Sequence, residues 1–279
     1  MNSQLTLALE SHVARHRCPP VTMKSLRFAV VSLLLAAVPA VAEEAPIKSA
    51  FGPGEQANYV IYFAGVPTGE FSITVGMLMK REGKEVWPFL CLAKTEIPIY
   101  TINDKYVAYW DFRAQEHVGS DFWIDENKKK RREHVTMKRP ESKALVKRAN
   151  IGEQLHEVSY DIDPTALDVS SATMWLRNIP LKVGDKYSRP VFTGAVAFIM
   201  HAEVLEKVTL DTKPFGQKEA FKLRVSTEFA GQLKQKRDLI AYMSADKLQV
   251  VLRMEADFLL GQITADLVSF EPGKDFTRG

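Results

Sequence analysis

The sequence predicts an all-β fold, mainly antiparallel: a strongly curved sheet or half-open β-barrel with one short central helix. Three observations point there. Apolar residues alternate with polar ones in run after run. Turn residues separate most of these runs at the roughly 8–12-residue spacing of a meandering β protein. One segment alone carries helical spacing instead.

The chain ahead of the first run belongs to export rather than to the fold. MKSLRFAVVSLLLAAVPAVAEEAP has the three parts of a secretory signal: Lys24 and Arg27, an apolar stretch at 28–38, and small residues at Ala40-Val41-Ala42. Cleavage is expected after Ala42. The apolar stretch is too short to span a bilayer as a stable helix. No cysteine follows the small residues, which argues against a lipoprotein anchor, and no later segment is a candidate transmembrane anchor. Residues 1–22 precede a natural start at Met23 and read as an over-extended start or an unstructured leader. The expected organisation is therefore a leader at 1–22, a signal peptide at 23–42 and a single β-rich periplasmic domain at 43–279. Outer-membrane association or secretion stays open beside the periplasm.

Export changes the charge balance. Residues 1–42 hold four of the 37 basic residues and one of the 34 acidic ones, which leaves 33 of each and a net charge of zero. A neutral exported chain has no global attraction to polyanions, so nucleic acid is not an expected partner. Cys18 leaves with the leader, Cys91 stands alone, and no internal disulfide can form.

The strands follow in order. Tyr59, Ile61 and Phe63 alternate with Val60 and Tyr62; after Gly65, Pro67 and Gly69, residues Phe71, Ile73, Val75 and Met77 alternate with Ser72 and Thr74. These two runs predict an antiparallel hairpin, its first strand covered on both faces. Further strands are expected at 87–96, 106–112, 118–125, 133–138, 144–147, 196–205, 221–227, 239–244, 248–254 and 263–270. The exception is DIDPTALDVSSATMWLRNIPLKVGD. There Asp163 can cap a helix of about 13 residues with Pro164 in its first turn, and Asn178 and Pro180 stop it. Such a helix could plug or brace the concave face of a curved sheet.

Three stretches in order resemble one bacterial exported family, domain of unknown function 3108 (DUF3108). They are FGPGEQANYVIYFAGVPTGEFSITV, DPTALDVSSATMWLRNIPLKVGDKY and AYMSADKLQVVLRMEADFLLGQITADLVSF. The likeness covers roughly residues 51–270, a domain-sized span. Val250 stands where members often carry proline, a difference that touches packing. The resemblance implies a periplasmic or surface-associated β-rich domain, similar to the half-open barrels of lipoprotein carriers, and it brings no catalytic residues.

Local motifs for chemistry are sparse. Ser244-Ala245-Asp246-Lys247 has the S-x-x-K spacing of serine acyltransferases but falls between two strands, where the same residues make an ordinary turn. His117, His134, His156 and His201 show no helical i, i+4 pairing and none adjoins Cys91, so no metal site and no cofactor are expected. Asp161, Asp163 and Asp168 lack a calcium-loop pattern and suit capping and turns. Cys91 sits in an apolar run and reads as packing. The expectation is a non-enzymatic protein.

Binding has more support. Aromatic residues on a curved sheet can enclose a lipid-like ligand, although aromatics also simply build β cores. Tyr59, Phe63, Phe71, Trp110, Trp123 and His201 are the candidate cavity lining. The run Lys128, Lys129, Lys130, Arg131 and Arg132 is expected at the tip and first outgoing residues of a hairpin, with Asp125, Glu126 and Glu133 as counter-charges. With Lys138, Arg139, Lys143, Lys147 and Arg148 it could form a basic face toward anionic lipid headgroups or an envelope glycan. The leading expectation is a cell-envelope protein binding a hydrophobic envelope component. One alternative is a structural or adaptor protein docking other envelope proteins; a weaker one is a serine hydrolase acting through Ser244 and Lys247.

Overall fold

The computed structural model describes residues 49–97, 100–127, 129–229, 232–233, 239–258 and 261–274. The leader, the signal peptide, Cys18 and Lys128 lie outside the described residues. Nine strands precede the helix: β1 (Gln56–Phe63), β2 (Val66–Val75), β3 (Met79–Arg81), β4 (Lys84–Ile97), β5 (Tyr100–Asp111), β6 (Glu116–Glu126), β7 (Lys129–Lys138), β8 (Lys143–Asn150) and β9 (His156–Asp161). After α1 (Val169–Arg177) come β10 (Lys186–Phe192), β11 (Ala197–Thr212), β12 (Gly216–Phe229), β13 (Gln232–Leu233), β14 (Leu239–Ser244), β15 (Val251–Phe258) and β16 (Gly261–Glu271).

They form one antiparallel sheet in the order β10-β11-β12-β14-β15-β16-β1-β2-β4-β5-β6-β7-β8-β9, with β13 beside β12 and β3 beside β4. Neighbours in sequence are mostly neighbours in space, as short hairpin connections dictate. The predicted first hairpin is present, with Tyr59 opposite Phe71. Its turn, Ala64-Gly65, has positive φ at both residues (48° and 81°), the twist that matches two flanking strands. Both faces of β1 are not covered as expected: Ala57 and Tyr59 are buried, while Val60 and Tyr62 are half-exposed.

The sheet is not closed by a backbone ladder, because its ends β9 and β10 do not pair. Side chains and the connecting segment bridge the gap instead. Leu167 N donates to Pro190 O (3.0 Å) and Phe192 N to Leu167 O (2.8 Å) at the edge of β10. Phe192 packs with Val135, Met137, Ala144 and Val146 from the other end of the sheet. Arg139 donates to the carbonyls of His117 (2.6 Å), Ala166 (2.9 Å) and Pro164, fastening the connecting segment to β6. Arg139 is thus spent on closure rather than on a basic face. Arg148 is similar, donating to Gly194 O (2.7 Å) and lying 3.4 Å from Glu133.

The helix begins later than predicted. Asp163 makes a turn instead: its Oδ1 accepts from Thr165 N (2.7 Å) and its carbonyl from Ala166 N (2.9 Å). Leu167 must be extended to bridge Val191, so helical winding can start only beyond it. Asp168 is the cap, its Oδ1 accepting from Ser171 N (2.9 Å). The nine-residue helix braces the concave face as expected. Ala172, Met174 and Leu176 pack in a core with Trp87, Phe89, Trp110 and Leu223.

Candidate functional site

Consecutive side chains in a strand point to opposite faces of the sheet. Cys91, Tyr106, Phe122 and Glu133 turn toward the buried side of β4, β5, β6 and β7. Leu92, Lys105, Trp123 and Arg132 therefore turn away from it. Pairing register makes these four a continuous row: Leu92 opposite Lys105, Lys105 opposite Trp123, and Trp123 opposite Arg132. They line a hollow of about 800 Å³ that also takes in Ile151, Lys94 and Lys130.

Two properties meet there. Leu92 (43% exposed), Trp123 (37%) and Ile151 (65%) offer apolar surface to solvent. On the outward phase four cations, Lys94, Lys105, Lys130 and Arg132, face two carboxylates, Glu70 and Asp125, while Arg131 and Asp104 turn inward. Lys130 pairs with Asp125 at 2.9 Å, and Lys105 Nζ lies 4.9 Å from the centre of the Trp123 ring. Asp104 accepts from Asp125 N (2.8 Å), yet burial, with Glu126 and Asp125 nearby, holds its carboxyl above the usual range. Among the described residues Arg132 has no carboxylate within 4.0 Å, so its charge is available.

Lys129, Lys130, Arg131 and Arg132 are the first outgoing residues of the β6–β7 hairpin, as expected, and they already belong to β7, because Glu126 and Asp125 pair in register with Lys129 and Lys130. Opposite charges directly across the ladder hold the strand to its end. Arg131 approaches the buried Glu133 at 3.8 Å. Burial raises the Glu133 carboxyl, with Arg148 and Arg131 opposing.

The six aromatic and histidine candidates do not share one lining. Trp123 stands in the outward row of the hollow, whereas Tyr59 and Phe71, beneath it, turn inward to the core. The rings of Tyr59 and Phe71 meet 5.7 Å apart, and Tyr59 donates to Val251 O (2.9 Å) while burial raises its hydroxyl pKa. Trp110 is wholly buried in the core, and Phe63 sits beside Gly261 at the end of β1. His201 lies on β11 between Ser188 Oγ (2.8 Å) and Glu228 (2.9 Å). Sequence reasoning missed Leu92, Lys105 and Ile151. Leu92 and Trp123 did carry a signal: each is a large apolar residue on the polar phase of its strand.

Other polar groups are engaged in the fold. Ser244 Oγ donates to Asp246 (2.8 Å) and accepts from Val250 N (2.9 Å), the bonding of a turn. Cys91 lies 3.4 Å from Ser170 Oγ, and burial pushes its thiol up to about 12. At the start of α1, His117 Nδ1 lies 3.3 Å from Asp168 Oδ1, both side chains being almost wholly buried. Burial, with Arg139 adding to it, lowers His117 to about 3; burial raises Asp168 to about 6 against the bonds from Ser171 and Ser170. At the other end of α1, Arg177 grips both oxygens of buried Glu55 (2.5 and 2.9 Å) and donates to Leu248 O (3.0 Å). A second hollow of about 610 Å³ opens beside this pair. Among the described residues no three His, Cys, Asp or Glu side chains group as metal ligands, and no helix is long and apolar enough to cross a membrane.

The family profile described as protein of unknown function (DUF3108) matches residues 58–268. No curated protein matches the chain. Among solved structures, the chain is similar to a β-barrel-like protein of domain of unknown function DUF1849 from Brucella abortus. The TM-score is 0.54 at 9% identity, over 80% of this chain and 98% of that one. A predicted lipoprotein from Parabacteroides distasonis aligns with TM-score 0.32 at 12% identity, over 80% of this chain and 99% of the other. A predicted exported protein with YmcC-like fold from Bacteroides fragilis aligns with TM-score 0.31, also at 12% identity and the same coverage. The Brucella protein supports the fold: a mostly antiparallel, barrel-like sheet.

Proposed function

We propose that this chain, which belongs to the DUF3108 family, is a non-enzymatic exported protein of the cell envelope that binds a lipid-like component. The observation that carries this reading is the hollow on the outer face of β4–β7, where exposed apolar side chains and an excess of cations share one row. Apolar surface left to water invites hydrocarbon, and the cations select an amphiphile with a negative head. On the concave face α1 packs against Trp87, Phe89 and Trp110 of the aromatic core. The test is to purify the mature protein from its native envelope, extract it with organic solvent and weigh the extract by mass spectrometry. A stoichiometric amphiphile is expected; its absence from repeated preparations contradicts the reading.

A second reading is an adaptor that docks other envelope proteins. It is favoured by β9, whose residues are exposed almost throughout and whose outer edge has no strand partner among the described residues. An open edge can accept an added strand. In-cell photo-crosslinking from Val158 separates the two, since discrete protein adducts are expected of an adaptor and none of a lipid binder.

A further inference from the structure

We propose that Lys105, Trp123 and Arg132 form the headgroup subsite of this hollow and seat the phosphate of an anionic phospholipid at a membrane surface. The inference rests on the lipid-binding reading and assigns its chemistry. Lys105 and Arg132 flank Trp123 at one strand spacing on either side, so their backbones lie roughly 10 Å apart. Both side chains are long enough to converge over the indole between them. Lys105 already leans over that ring. Arg132 brings the planar donor fork that matches phosphate oxygens, and Lys105 brings a compact charge.

The flanks argue for lipid rather than free anion or sugar. Leu92 lies beside Lys105 in the same row, and Ile151 lies beyond the β7 side of the hollow, both well exposed. Sugar hydroxyls would gain no partners from these side chains, whereas acyl carbons would remove them from water. Charge complementarity selects the head. Of the four outward cations, Lys130 is matched by Asp125 and Lys94 stands opposite Glu70 across the ladder, which leaves Arg132 and the ring-bound Lys105 to meet an anion.

The experiment is flotation of the mature protein with vesicles of phosphatidylcholine alone and of phosphatidylcholine mixed with phosphatidylglycerol, read together with tryptophan emission. Binding is expected to the mixed vesicles, with a blue shift that Trp123→Phe removes. Lys105→Gln and Arg132→Gln should each weaken it about fivefold. Both replaced side chains lie at the surface, so an unchanged melting curve shows that the variants fold. Equal binding to both vesicle types, or unchanged binding by the two variants, overturns the subsite. Inorganic phosphate that competes as well as the vesicles at equal phosphate concentration overturns the lipid assignment. A lipid recovered from the native preparation would survive all these failures, which keeps the subsite and the broader reading separately testable.

Discussion

The same strands present two unlike faces. On the inner side of β4 and β5, Phe89 and Trp110 meet at 6.1 Å with α1 closing over the core, and almost nothing there touches water. On the outer side, at the opposite phase of the same strands, Leu92 and Lys105 lie open in a hollow with Trp123 of β6. A helix laid against the concave face packs into the core of a sheet that has no closing ladder. The outer face is then free to carry apolar residues that folding does not require.

The sharpest break in this comparison is between substitutions on the two faces. Arg177→Met leaves Glu55 buried without its partner and should cost about 3–5 kcal/mol in urea unfolding. Replacing both, as Glu55→Leu with Arg177→Met, should recover much of that loss. Trp110→Ala should cost a similar 3–5 kcal/mol or so through the cavity it leaves.

The next effect depends on pH and concerns Asp168 and His117. Asp168 titrates higher in the folded state, so its contribution falls as pH rises from 3.8 through about 6. His117 titrates lower, so its contribution falls as pH drops from 6.5 through about 3. Between roughly pH 4 and 6 the two slopes oppose, and this pair should leave the native protein's stability nearly flat. Asp168→Asn should unmask the histidine, losing about 1.4 kcal/mol for each unit of acidification. His117→Gln should unmask the carboxylate and slope the other way. Urea midpoints at several pH values check both signs, and parallel slopes in the two variants would contradict the assignment.

Smaller still is Tyr59→Phe, which removes the bond to Val251 O and should cost about 1 kcal/mol. Smallest is Trp123→Ala, expected to shift stability by no more than about 0.5 kcal/mol while reducing vesicle binding. A loss comparable to that of Trp110→Ala would mean that Trp123 is part of the core.

Much of this architecture was legible in the sequence, and its gaps have physical causes. Alternation located the β1–β2 hairpin and most inner strands because each buries one face. It missed β9 and β10, the two edges. His156–Asp161 buries almost nothing, and Lys186–Phe192 contains Pro190, which suits an edge strand but interrupts the pattern. The helix was found but started too early, because Asp163-Pro164 makes a turn as readily as a helix cap and only the bridge of Leu167 to Val191 decides between them. The basic run was legible as part of a hairpin but not as a strand. The hollow could not be assembled from one dimension, although Leu92 and Trp123 stand out of phase in it. Leu92, Lys105, Trp123 and Arg132 are scattered over four strands and become neighbours only through register, which includes a shift between Tyr109 and Trp110.

The central claim, that ligand meets the outer face and not the interior, is tested most directly by a phospholipid carrying a photoactivatable acyl chain. Vesicles containing it would be incubated with the mature protein and irradiated, and the adducts mapped by peptide mass spectrometry. Adducts at Leu92, Trp123 or Ile151 are the predicted result. Adducts at Phe89, Trp110 or Met174 would place the ligand inside the barrel and contradict the account.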